Sequence, residues 1–167
     1  TRANLIEDGF DLAFRIGENA DSSMMSQAIG TFPFGLYASP NYLRKSSKLR
    51  SPKDLQHHRC LIMRTGVKTA RWKLKRDEDF EEIAIRGAVV ANDFLTLRNL
   101  AIAGGGVAML PAYAVHAECA SDLLSAVLPD WNASGATLSA IYPSRRGATV
   151  KQRAFIDQVR EVAECLS

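Results

Sequence analysis

Apolar and polar residues alternate along this chain in short segments of two kinds. Residues 10–17 (FDLAFRIG) read as a short buried strand, preceded by a helix end over 3–8 for which Gly9 serves as the C-cap. A polar loop over 19–23 leads into 25–39, a strand or pair of strands running toward Pro40. Ser51, Pro52 and Asp54 mark a helix start, with serine as cap, proline at the first helical position and an acid three residues after the cap. That helix is short, because 60–63 (CLIM) is again an apolar, strand-like run. Beyond a turn at Arg64, Thr65 and Gly66, residues 72–74 alternate like a strand. The acidic cluster over 77–82 reads as a solvated turn, and 83–92 hold strand material.

The clearest helix boundary follows. Asn92 or Asp93 caps, Leu95, Leu97, Leu100 and Ala101 supply the apolar positions, and Gly104, Gly105 and Gly106 stop the helix. Residues 107–111 form a strand ended by proline, 112–120 look helical, 123–131 are a strand running into a turn, and 136–144 are another strand. The last segment, 149–166, is an amphipathic helix with Val150, Phe155, Val159, Val162 and Leu166 as its apolar stripe. Strands alternating with helices predict an α/β fold with a largely parallel sheet.

Composition narrows the class. With 167 residues, 47% of them hydrophobic, the chain is long and apolar enough to fold around a sizeable core. Its apolar runs are too short for a membrane span. Lys plus Arg number 21 and Asp plus Glu 18, a net charge of +3 that is too balanced for a chain whose main partner is a phosphate backbone. Cys60, Cys119 and Cys165 are odd in number and lack paired-cysteine spacing, which suits reduced thiols in a cytoplasmic protein. His57 and His58 lie near Cys60, but adjacent histidines point apart and no second cluster completes a metal site; they read as surface or capping residues. The sequence holds no catalytic or nucleotide-binding motif, so no cofactor is expected, and the glycine run over 104–106 follows a helix instead of opening one. Beginning at Thr1 in mid-pattern, the chain is expected to be a piece of a longer polypeptide.

One arrangement occurs twice: a strand, a polar or glycine turn, then a helix start. The first turn holds Arg64, Thr65 and Gly66; the second holds Asn92, Asp93 and Phe94. In open α/β sheets ligands bind beyond the carboxyl ends of strands, where free amides and helix dipoles point outward. An arginine at one edge and an amide at the other make a receptor for a small carboxylate. Equally, Asn92 or Asp93 caps a helix and Arg64 is simply solvated.

Seven segments, taken in order, resemble the C-terminal effector-binding domain of a LysR-type transcriptional regulator. They are 5–17, 36–43, 51–61, the strand around Trp72, 89–111, 123–131 and 141–159, and together they cover nearly the whole chain. The resemblance implies a fold similar to a type 2 periplasmic binding protein: two α/β subdomains joined by two crossover strands, with an effector cleft between them. It places 1–39 plus 139–167 in a discontinuous first subdomain and 40–138 in the second. It implies that a small polar or anionic metabolite touches Phe14, Arg15, the turn at Arg64, Thr65 and Gly66, and Asn92, Asp93 and Phe94. The family's DNA-binding domain and the opening unit of its first subdomain have no counterpart here, so the first subdomain is expected to be incomplete. The resemblance further implies a non-enzymatic, homo-oligomeric regulator that meets DNA only through the missing domain. A transporter's solute-binding protein and, less favoured, an enzyme on the same fold are the alternatives.

Overall fold

The computed structural model describes residues 10–16, 24–63, 69–143 and 147–164. The sequence-predicted helix end over 3–8, the loop over 19–23 and the turn at Arg64, Thr65 and Gly66 lie outside the described residues. The chain divides into two compact units, Thr1–Phe32 with Ala136–Ser167, and Pro33–Gly135. Two long strands, β2 (Met24–Ala38) and β8 (Asn132–Pro143), carry the chain across the division.

In the first unit, β1 (Ala13–Ile16) pairs antiparallel with β8, Ala13 opposite Ile141 and Ile16 opposite Leu138. The helix α4 (Val150–Glu164) belongs to the same unit, its start tied down where Gln152 Nε2 donates to the Asp11 carbonyl at 2.6 Å. Helical periodicity located α4 but chose the wrong side. Ile156 and Ala163 are its buried residues, whereas Val150, Phe155 and Val162 are 75%, 52% and 55% exposed. Small residues explain the choice: a Cβ placed on Gly30 would stand 3.6 Å from the Ala163 Cβ, so the helix approaches β2 along a Gly–Ala contact.

The second unit holds α1 (Pro40–Lys45), a 3-10 helix over Pro52–His57, β3 (Cys60–Met63), β4 (Thr69–Arg76) and β5 (Asp79–Ala91). Then come α2 (Phe94–Ile102), β6 (Val107–Pro111), α3 (His116–Ala120) and β7 (Ser125–Val127). Its strands are ordered β8, β4, β5, β3, β6, β2, β7. β3 pairs parallel with β5 on one side and with β6 on the other. The sheet is therefore mixed rather than largely parallel: β4–β5 is a hairpin, and β2 returns antiparallel to β6 and β7.

The hairpin also corrects the acidic turn. Only Asp77 and Glu78 turn; from Asp79 onward the acidic residues are strand. The cause is the basic partner strand, since Glu82 pairs with Arg71 at 3.3 Å and Asp79 with Arg76 at 2.8 Å. Opposite charges across a ladder favour pairing that the acidic run alone does not announce. The helix α1 was not foreseen either: Ser39 caps it through its side chain, accepting from the Tyr42 amide, and Pro40 opens it.

The core of this unit is Leu61, Leu97, Ala101, Ala108, Leu110, Val115 and Leu124, all buried. Here α2 packs on the sheet and ends as the glycine run predicts. Gly104 takes φ +81°, its amide donates to the Ala101 carbonyl and that of Gly105 to the Leu100 carbonyl. Those two bonds close a Schellman turn. At Gly106, with φ +149°, a Cβ would overlap the Arg59 carbonyl, so the chain enters β6 through a gap only glycine fits.

Candidate functional site

The parallel register of β3 and β5 sets Met63 beside Ala91. The carboxyl ends of two neighbouring strands thus leave the sheet together, and the two turns singled out in the sequence follow from them. Of those turns, the one at Arg64, Thr65 and Gly66 falls outside the described residues. The other is described in full. Asn92 is exposed, Asp93 is the N-cap of α2, and Phe94 is its half-buried first residue.

Asp93 settles which of the two candidates caps. Its carboxylate accepts from the Thr96 amide at 2.7 Å and from the Thr96 hydroxyl at 2.8 Å. The hydrogen bonds from Thr96 hold the Asp93 carboxyl below its ordinary range, so it stays ionised at neutral pH. An anion already sits at this helix end.

Phe94 faces a concavity of about 200 Å³ lined by Phe34, Leu61, Met63, Ala70, Arg71, Trp72 and Met109 as well. Strand periodicity assembles it: Leu61 and Met63 share one side of β3, and Ala70 and Trp72 share one side of β4. Phe34 meets Phe94 edge to face, with ring centroids 5.4 Å apart. Among the described residues Arg71 carries the only charged side chain of the lining, and its guanidinium pairs with Glu82. The recess therefore offers rings, thioethers and aliphatic carbon.

Sequence reasoning found Phe94 and the strand ends but not Phe34, Leu61, Met63, Ala70 or Met109. A usable signal existed, since two of the chain's four methionines stand in strands and line this one recess. Phe14 and Arg15 lie on β1 in the first unit; the Phe14 ring packs against Phe155 of α4 at 5.7 Å, and Arg15 stands opposite Ser139.

Other recesses in the second unit carry less. One of about 320 Å³ is bordered by Arg50, Lys53, Arg76, Asp79 and Glu81, but Lys53 pairs with Glu81 at 3.4 Å and Arg76 with Asp79, with Arg76 also stacked on Trp131. His58, read from sequence as a surface or capping residue, does occupy a helix C-cap, yet it is buried between Tyr42 and Ser47. Among the described residues no cluster of three His, Cys, Asp or Glu converges as a metal site, and no helix is long and apolar enough to cross a membrane.

A family model described as the LysR substrate binding domain matches residues 2–164. An HTH-type transcriptional regulator of Haemophilus influenzae is 33% identical over 150 residues, which cover 90% of this chain and 52% of that protein. The HTH-type transcriptional regulator PtxR of Pseudomonas aeruginosa is 34% identical over 161 residues, covering 95% of this chain and 51% of its own. The structure of CrgA, a LysR-type transcriptional regulator from Neisseria meningitidis, superposes with a TM-score of 0.77 at 27% identity, over 96% of this chain and 54% of that one. The chain thus spans about half the length of the curated relatives it matches. Its fold is the α/β, type 2 periplasmic-binding-protein-like architecture of LysR regulatory domains. By family model, relatives and fold alike, this chain belongs to the LysR substrate-binding domain family.

Proposed function

We propose that this chain is the effector-sensing part of a cytoplasmic bacterial transcription regulator, and that it works by binding a small molecule without transforming it. The observation that carries the reading is the recess at the joined carboxyl ends of β3 and β5, with Phe94 in its wall. A ligand there has differential affinity for two arrangements of the domain, and that difference is what a sensor transmits. In the longer polypeptide, DNA-binding domains outside this chain receive the bias, and the working form is a homo-oligomer. We assign residues 1–39 plus 139–167 and residues 40–138 to the two subdomains. Phe14 and Arg15 serve the first, and Arg64, Thr65, Gly66, Asn92, Asp93 and Phe94 serve the second.

The test is a thermal-shift screen of small carboxylates and amino acids, since a ligand bound only by the folded state raises apparent stability. Hits are then titrated against Arg15→Ala, Arg64→Ala and Asn92→Ala in separate proteins. We expect weakened binding with an unchanged melting temperature of the free protein. Unchanged affinity in all three variants removes the site assignment. The isolated chain should leave the mobility of operator DNA unaltered, and a specific shift would contradict the division of labour.

A further inference from the structure

From the lining of the second unit's recess we infer that the effector presents an uncharged ring, aromatic or cycloaliphatic, to Met63, Met109, Phe34 and Phe94. The inference rests on the sensing role proposed above and names the chemistry of that site.

Size is the first ground. An apolar cavity of about 150 Å³ stays dry and takes up benzene. The recess here is about 200 Å³, room for one ring with a short substituent. A simple two-carbon or three-carbon acid would leave most of it empty.

The lining is the second ground. Phe34, Phe94 and Trp72 supply aromatic surface, Leu61 and Ala70 aliphatic surface, and Met63 and Met109 two thioethers. Sulfur contacts with ring edges are favourable, and unbranched methionine adapts its shape to the ring it meets. A charged or strongly hydrated group brought against these atoms would lose its water without gaining hydrogen bonds.

The described polar groups beside the lining are the third ground. Arg71 is paired with Glu82, and the Thr96 amide at the start of α2 is held by the Asp93 carboxylate. An anionic group approaching the start of α2 would meet Asp93 as a like charge. The polar part of the effector must therefore point away from the described lining.

The test uses this chain with its methionine methyls labelled with carbon-13. There are four methionines, and Met24 and Met25 on the first-unit part of β2 serve as internal references for Met63 and Met109. Signals are assigned with Met63→Leu and Met109→Leu. Benzoate, cyclohexanecarboxylate and benzyl alcohol are the ring-bearing probes; succinate, glycine and acetate are the ringless ones. We expect the ring-bearing probes to move the Met63 and Met109 methyls and leave Met24 and Met25 in place. Ala70→Phe should fill the recess and abolish those shifts. Met109→Gln, close in volume but polar, should weaken ring binding by roughly tenfold or more, and it keeps the test valid if Ala70→Phe fails to fold.

Selective binding of succinate or glycine that leaves the Met63 and Met109 methyls in place but moves the Asn92 and Phe94 amides of a nitrogen-15-labelled sample would overturn the ring while leaving the sensing site intact. Ring binding that moves neither methionine, or that survives Met109→Gln undiminished, would place the ring elsewhere and overturn the inference. Silence toward every probe would overturn it too, and silence across the wider thermal-shift screen would remove the sensing role itself.

Discussion

Phe34 on β2 and Phe94 at the start of α2 meet edge to face, their ring planes inclined by 63°. The contact joins a strand to the first residue of a helix sixty positions later in the chain, and both rings also border the recess. One pair of side chains thus serves packing and the candidate site together.

That pair should be measurably coupled. In a double-mutant cycle with Phe34→Leu and Phe94→Leu, urea unfolding is expected to give an interaction energy of about 0.5–1.5 kcal/mol beyond the lost area. Phe34→Ala alone, at a 9% exposed position, should cost about 3–5 kcal/mol. Strictly additive Leu variants would show that the two rings merely neighbour each other.

His58 should make the fold sensitive to mild acid. Its Nδ1 lies 3.1 Å from the Tyr42 hydroxyl and its Nε2 3.3 Å from the Ser47 hydroxyl. The Arg59 amide also donates to the Tyr42 oxygen at 3.0 Å, which favours the neutral tautomer in which the phenol gives its proton to Nδ1. Burial lowers the His58 pKa, opposed in part by Asp54. A histidine with a depressed folded pKa contributes stability above its unfolded pKa of about 6.5 and loses it as the pH falls through that value toward the folded one. The melting temperature should therefore drop between about pH 7.5 and pH 5.5, and His58→Gln should flatten the slope. Asp54 and Asp93, both lowered by hydrogen bonds, lose their contributions only in stronger acid. An identical slope in the His58→Gln protein would rule the histidine out.

Cys60 should be inert while the protein is folded. Burial pushes its thiol up to about 12, and its Sγ lies 3.5 Å from the Leu55 carbonyl. Relative to an ordinary thiol near 9.0, that leaves about a thousandfold less thiolate. Iodoacetamide at about pH 8 should leave the Cys60 peptide unmodified in native protein and modify it in urea, as read by mass spectrometry. Rapid native labelling of Cys60 would contradict its burial.

Much of this architecture can be read from residue order, and apart from the locally capped α1 the main misses turned on pairing or packing partners. Cap and stop signals are local, so the Asn92 or Asp93 cap and the glycine run over 104–106 bracketed α2. The strands β3 and β6 were equally plain, because a buried strand is a short unbroken apolar run. What failed depended mostly on a partner outside the segment being read. The acidic residues after Glu78 became strand because basic β4 lies beside them. The buried side of α4 was set by Gly30, a residue with no hydrophobic weight at all. The recess followed the same rule: the strand ends were foreseen, while Phe34 and Met109 joined them through β2–β6 pairing that no local pattern encodes.

The double crossing of β2 and β8 has a consequence in time. All of Pro33–Gly135 is one uninterrupted stretch, so a ribosome releases every strand of the second unit's centre before Ala136 appears. The first unit must wait: Ala13 cannot find Ile141, nor Asp11 find Gln152, until the whole stretch between them has been made. Synthesis at about 5–20 residues per second turns that separation into seconds during which β1 waits for β8. The unit that is continuous in sequence can close first, and the unit assembled from two separated segments closes last.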